Sequence, residues 1–155
     1  MLGKLYEKQE CSAARALEIV GERWSLLILR DAMFKHCTRF SEFERSLEVA
    51  PNILSKRLDG FVEEGIMEAG AGGDRQYHLT PKGLGLKPVV MALTAWGDEW
   101  LGQGPAQFHH VGCGGTAQVE LRCETCGEAL SAADVAARPA PGFVPRRQGR
   151  RAKGR

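Results

Sequence analysis

The chain has 155 residues, 43% hydrophobic and 26% charged, with a formal net charge of +2; this suits one compact soluble domain with extra segments and excludes two equal full-size domains. No run approaches the roughly 18 apolar residues that span a bilayer, and the opening "MLGKLYEKQE" lacks the apolar core of an export signal, so a cytoplasmic location is expected. Five cysteines, an odd number without an export signal, argue against a disulfide framework and point to free thiols used for metal binding or redox chemistry.

Ser12 is the expected N-cap of a helix over "AARALEIV", with Ala16, Leu17, Ile19 and Val20 apolar and Gly21 as the stop. "RWSLLILRDAMF" is apolar almost all round through Trp24, Leu26, Leu27, Ile28, Leu29 and Phe34, the pattern of a buried central helix. Arg39 and Phe40 fit a short strand, and Ser41 with Glu44 has capping-box spacing for a third helix over "SEFERSL". After the turn "EVAPN", Pro51 suits a first helical position and predicts a fourth helix through "NILSKRLDGFVEEG" to Gly65. Helical winding puts Leu54, Leu58, Phe61 and Val62 on one side and Asn52, Ser55, Lys56, Asp59 and Glu63 on the other, with Arg57 on the flank. "IMEA" and "RQYHLT" read as two strands joined by "GAGGD" into a hairpin. Thr80 then caps one long helix from Pro81, bent at Pro88, whose Leu86, Val89 or Val90, Leu93, Trp96 and Trp100 form a stripe that needs a partner. "GQGP" at 102 to 105 marks a boundary.

Two helices joined by a tight turn, the second with a polar outer face and a glycine-tipped hairpin after it, describe a winged helix-turn-helix, mainly α with a small β-hairpin wing. Pattern alone leaves open a small α+β domain of another purpose, because any surface helix has a polar outward face. Residues 11 to 101, however, resemble the HxlR-type branch of the MarR-like bacterial transcription regulators, through "CSAARALEIVGERWSLLILRDAM", "RFSEFERSL", "PNILSKRL", "EEGIME", "YHLTPKG" and "ALTAWGDEWL". The resemblance implies a homodimer on a roughly palindromic double-stranded DNA operator, each subunit laying residues 51 to 63 in the major groove with a wing beside it. Asn52, Ser55 and Lys56 become the base-reading candidates, Arg57 a phosphate contact, and Arg39 and Arg75 further DNA contacts, the latter at a minor groove. Asp59 would tolerate only a cytosine amino group. The wing "GAGGDR" departs from the family's usual form, which is longer and carries prolines. Cys11 falls where relatives often carry a cysteine, which in some of them senses oxidants or electrophiles; a buried, inert thiol is the competing reading. Cys37 with His36 is either loop sequence or part of an effector pocket.

Residues 107 to 128, "QFHHVGCGGTAQVELRCETCGE", hold three of the five cysteines and two of the four histidines. "HVGCG" and "CETCG" are knuckles of the H-x-x-C-G and C-x-x-C-G type, so His110, Cys113, Cys123 and Cys126 are expected to hold one structural Zn2+ per chain, with His109 as the competing imidazole. The stretch between the knuckles, "GGTAQVELR", is expected to form a zinc-ribbon hairpin. A full ligand set leaves no open coordination position, and the zinc-deaminase pattern of H-x-E with P-C-x-x-C is absent, so neither catalytic residues nor a metalloenzyme are expected.

The last ten residues, "RRQGRRAKGR", carry six Lys or Arg and no acid, leaving 15 basic against 19 acidic residues elsewhere. This tail is read either as a phosphate-holding arm or as a solubilising disordered end. The expected organisation is thus a DNA-binding and dimerisation domain over 1–103, a zinc-ribbon-like segment over 104–137, and a Pro-rich linker with basic tail over 138–155. The leading function is a dimeric, sequence-specific transcription regulator, a repressor, responding to a small-molecule or redox effector. The alternative is a redox switch working through Cys11 or the zinc cysteines, followed by a zinc metalloenzyme at the Cys/His site and a protein-interaction module.

Overall fold

The computed structural model describes residues 11–71 and 75–142. The wing tip at 72–74 and the basic tail lie outside the described residues. The chain forms two compact units, Met1–Val119 and Glu120–Arg155.

The first unit opens with α1 (Ser12–Val20) and α2 (Ser25–Phe34). Cys11, rather than Ser12, caps α1, because its sulfur accepts the amide of Ala14 at 3.3 Å and Ser12 is already helical. Helix α2 is central, packing against α1, α3, α6 and the wing strand β2. Its burial is one-sided, contrary to the all-round apolar reading: Ile28, Leu29 and Met33 are in the core while Leu27 is exposed. Asp31 shares the buried side, fully covered, and is held by Ser46, Arg30 and Lys35.

Helix α3 (Phe40–Leu47) starts before the expected Ser41 cap, since Glu42 folds back to accept the amides of Thr38 and Arg39 at 2.8 and 3.0 Å. These amides hold the Glu42 carboxyl below its ordinary value. Phe40 therefore belongs to the helix, and only Arg39 bridges to a strand partner, Gln76. Helix α4 (Pro51–Glu63) has Pro51 in its first turn, where a missing N–H costs nothing. Gly65 follows it at φ +65, a conformation that suits glycine. Leu54, Leu58 and Phe61 are buried, fixing α4 by its inner face.

Strands β1 (Met67–Ala69) and β2 (Tyr77–Leu79) pair antiparallel, Met67 opposite Leu79 and Ala69 opposite Tyr77. The amide of Tyr77 also donates to the Thr38 carbonyl at 2.7 Å, which ties the wing to the start of α3. Thr80 caps as expected, its hydroxyl accepting from Gly83 at 3.1 Å. The single bent helix expected after it is instead two, α5 (Pro81–Leu84) and α6 (Lys87–Trp100). Pro88 sits in the first turn of α6, so the chain breaks upstream of it at Gly85 and Leu86 rather than bending around it. Gly83 lies so close to Ile66 that an added Cβ would overlap the Ile66 carbonyl oxygen, so a glycine is needed where α5 packs beside β2.

Residues 105–119 are part of this first unit. Phe108 anchors them, its ring 4.7 Å from that of Phe34 on α2. In the second unit, β3 (Leu121–Arg122) pairs with β4 (Ala129–Leu130), and Ser131 caps a 3-10 turn over Ala132–Asp134. The expected hairpin within 114–122 is not formed. Thr116 pairs back to His109, whereas Leu121 and Arg122 pair forward, so each knuckle is the turn of its own hairpin.

Candidate nucleic-acid interface and the Cys/His knuckles

Helix α4 presents Asn52, Ser55 and Lys56 to solvent opposite its buried Leu54 and Leu58. An inner face of leucines and phenylalanine locks the helix, so its outer side chains occupy defined positions without contributing to the core. Ile53 is 39% exposed beside Asn52, an apolar group on a polar surface that the helical pattern did not single out.

Two arginines expected to meet DNA are tethered within the protein. Arg57 has a side chain only 12% exposed and lies 3.6 Å from Glu22, in the turn between α1 and α2. Arg75 turns back onto α4: Nη1 is 3.0 Å from Asp59 Oδ1, and the guanidinium carbon is 5.2 Å from the Tyr77 ring centroid. Asp59 also accepts from Ser55 Oγ at 3.3 Å. Ser55 and Asp59 share a helical face by their spacing of four, but no local pattern could place Arg75 beside them, sixteen residues further on. Arg39 is exposed and pairs by its backbone with Gln76, next to Arg75 in the chain. Arg39, Arg75 and the polar face of α4 are thereby gathered around the wing.

Helix α6 exposes Leu93, Trp96 and Trp100, with Trp96 at 56% and Trp100 at 66%, while only Val90 of its stripe is buried. Leu17 on α1 is likewise exposed. An open groove of about 300 Å³ follows α6 between Met91, Thr94 and Asp98 on one side and Phe108 and Gln118 on the other.

At the first knuckle, His110 Nδ1 lies 3.1 Å from Cys113 Sγ, whereas His109 is placed by its backbone bridge to Thr116. The amides of Cys113 and Gly114 both turn to the His110 carbonyl, and Gly114 adopts φ +72. The second knuckle repeats this shape, with the Gly127 amide on the Cys123 carbonyl at 2.9 Å and Gly127 at φ +73. Hydrogen bonds from the amides of Cys126 and Thr125 lower the Cys123 thiol from its ordinary value, reinforced by the Cys126 side chain. Each knuckle thus has the donor pair and the left-handed glycine that metal-binding turns use. Among the described residues, no group of three or more His, Cys, Asp and Glu side chains converges. Of the other thiols, Cys11 is exposed, while Cys37 is buried, raised by that burial and by the Asp31 and Glu42 carboxylates.

Comparison with known proteins agrees with the winged-helix geometry. The HxlR-like helix-turn-helix family model matches residues 19–105. An uncharacterized HTH-type transcriptional regulator of Mycobacterium tuberculosis, Rv3095, is 40% identical over 139 residues, covering 85% of this chain and 87% of its own. Among solved structures, the transcription-factor candidate PA1607 superposes with a TM-score of 0.75 at 34% identity, over 86% of this chain and 97% of its own. The quinone-bound regulator YodB of Bacillus subtilis superposes with a TM-score of 0.51 at 28% identity, over 58% of this chain and 99% of its own. These relatives are regulators rather than enzymes, and among the described residues no helix is long and apolar enough to cross a membrane. With the family model spanning all the helices from the end of α1 to α6, the chain belongs to the HxlR-like helix-turn-helix family of transcriptional regulators.

Proposed function

We propose that the chain is a sequence-specific repressor that binds a palindromic double-stranded DNA operator as a homodimer. The observation that carries this reading is the exposed polar face of α4, held from behind by buried Leu54, Leu58 and Phe61 and flanked by the wing. Asn52, Ser55 and Lys56 offer amide, hydroxyl and ammonium groups to base edges, and Ile53 offers an apolar contact to a thymine methyl. Arg39 and Arg75 supply cations for phosphate, and Arg57 joins them by exchanging Glu22 for a phosphate. The homodimer is supported by the exposed Leu93, Trp96 and Trp100 on α6, with Leu17 of α1, because such a stripe in water favours self-association. The groove along α6 is the candidate effector site. Selection of bound fragments from a genomic library tests the reading: recovery of one palindromic motif is expected, with Lys56→Ala losing discrimination within each half-site. Recovery of no common motif would contradict it.

The knuckles support a structural zinc, one per chain, through His110, Cys113, Cys123 and Cys126. The support is the donor set, the 3.1 Å approach of His110 to Cys113 and the matched glycine turns. When bound, the metal would hold the donors of each turn in place, which a segment so poor in buried side chains cannot do alone.

A second reading, of an oxidant- or electrophile-responsive input at Cys11, is favoured by the exposure of this thiol at the start of α1 and by the similarity to quinone-bound YodB. Cys11→Ser should abolish any loss of DNA binding caused by a thiol oxidant or quinone. Equal loss in the variant would move the input to the knuckle cysteines.

A further inference from the structure

We propose that Asp59 is a base-discriminating residue of the DNA interface, selecting a cytosine in each half-site, and that Arg75 is the built-in cation that makes a carboxylate tolerable there. The proposal rests on α4 being the recognition helix. Asp59 lies one helical turn beyond Ser55, its side chain 46% exposed. One oxygen takes Arg75 at 3.0 Å and the other accepts the Ser55 hydroxyl at 3.3 Å, so the carboxylate is held from two directions while part of it still meets solvent. Arg75 is itself seated, since its guanidinium lies 5.2 Å from the ring of Tyr77, a buried residue of β2.

Stability does not account for this arrangement, because an ion pair exposed on both sides contributes little to folding. Its chemistry matters where the helix meets DNA. A carboxylate can only accept hydrogen bonds, and guanine N7 and O6, adenine N7 and thymine O4 are all acceptors that repel it. Cytosine offers the N4 amino donor without an acceptor on the neighbouring ring position, whereas the adenine amino group stands beside N7. Asp59 therefore penalises every base except cytosine at the position it faces. Arg75 offsets the repulsion between the carboxylate and the phosphates, which otherwise falls on all sequences alike. The Ser55 hydroxyl, with its hydrogen directed to Asp59, presents lone pairs outward and favours an amino donor too.

The test uses the full chain with a random-sequence duplex library, comparing the parent with Asp59→Asn, Arg75→Ala and the double variant. The parent should enrich a motif with one cytosine position per half-site that becomes degenerate in Asp59→Asn, discrimination there falling by about tenfold while the other positions persist. Arg75→Ala should weaken binding to every duplex yet keep the cytosine, and adding Asp59→Asn should restore part of that affinity. A parental motif unchanged at every position by Asp59→Asn overturns the proposal alone, as do strictly additive losses in the double variant. If the parent enriches no motif, the proposal falls together with the recognition-helix reading.

Discussion

Replacing Asp31 by alanine should destabilise the first unit by about 2–3 kcal/mol. The side chain is 0% exposed and accepts from Ser46 Oγ at 2.6 Å, Arg30 Nη2 at 2.7 Å and Lys35 Nζ at 3.3 Å. Removing one member of a buried ion pair costs about 3–5 kcal/mol when the other charge stays buried. Here the Arg30 and Lys35 side chains are 37% and 50% exposed and can rehydrate, so their share is discounted. The dominant loss is the charge-assisted bond from Ser46, worth about 1.5–3 kcal/mol, together with a small void between α2 and α3. With a urea dependence of about 1–3 kcal/mol per molar, the midpoint followed by far-ultraviolet circular dichroism should fall by about 1 M. Asp31→Asn keeps an acceptor and should lose less, and Ser46→Ala should be non-additive with Asp31→Ala. A midpoint within about 0.2 M of the parent would show that the carboxylate counts for no more than a surface charge.

Glu42 adds a pH-dependent element. Its folded carboxyl is depressed by the amides of Thr38 and Arg39, so its contribution is fully present above the unfolded value and is lost as pH falls through the folded value. Stability should drop more steeply on acidification in the parent than in Glu42→Ala, and parallel acid profiles would contradict this. Light scattering should give twice the chain mass of 17.0 kDa, and Leu93→Glu with Trp96→Glu should give a folded monomer; a monomeric parent removes the α6 interface. Metal analysis should return about one zinc per chain, lost in Cys123→Ser and His110→Ala but kept in His109→Ala. Chelation should spare the helical signal, because the winged helix has its own core. Loss of dimerisation or DNA binding on chelation would instead make the knuckles part of the switch.

Helix order and the inner face of α4 were legible because 3.6-residue periodicity, Pro51 and Thr80 are local signals that tertiary packing had no reason to override. Starts of helices were less so. Cys11 displaced Ser12, and Glu42, reaching back to Thr38, displaced Ser41, since a cap is settled by which side chain meets the unpaired amides. The buried Asp31 had no signal beyond an acid in an apolar run, because its partner Ser46 is fifteen residues away. The sequence presents the interface only as separate groups. Its joinery, Arg75 on Asp59 and Arg57 on Glu22, depends on contacts between elements, which periodicity does not encode. In the knuckles, the spacing gave the turns and their glycines, but strand pairing across rather than between them came from the register of 109 with 116 and of 121 with 130.

The central claim, a dimer reading a palindrome with α4, is tested most directly by footprinting the full chain on a duplex carrying its selected motif, with the stoichiometry measured on the same complex. The account predicts two chains per duplex and two protected major-groove faces about one helical turn apart, related by a dyad, with protection in Lys56→Ala weakened and less selective for the motif. One chain on a single asymmetric patch, or protection indifferent to Asn52, Ser55 and Lys56 alike, would contradict it.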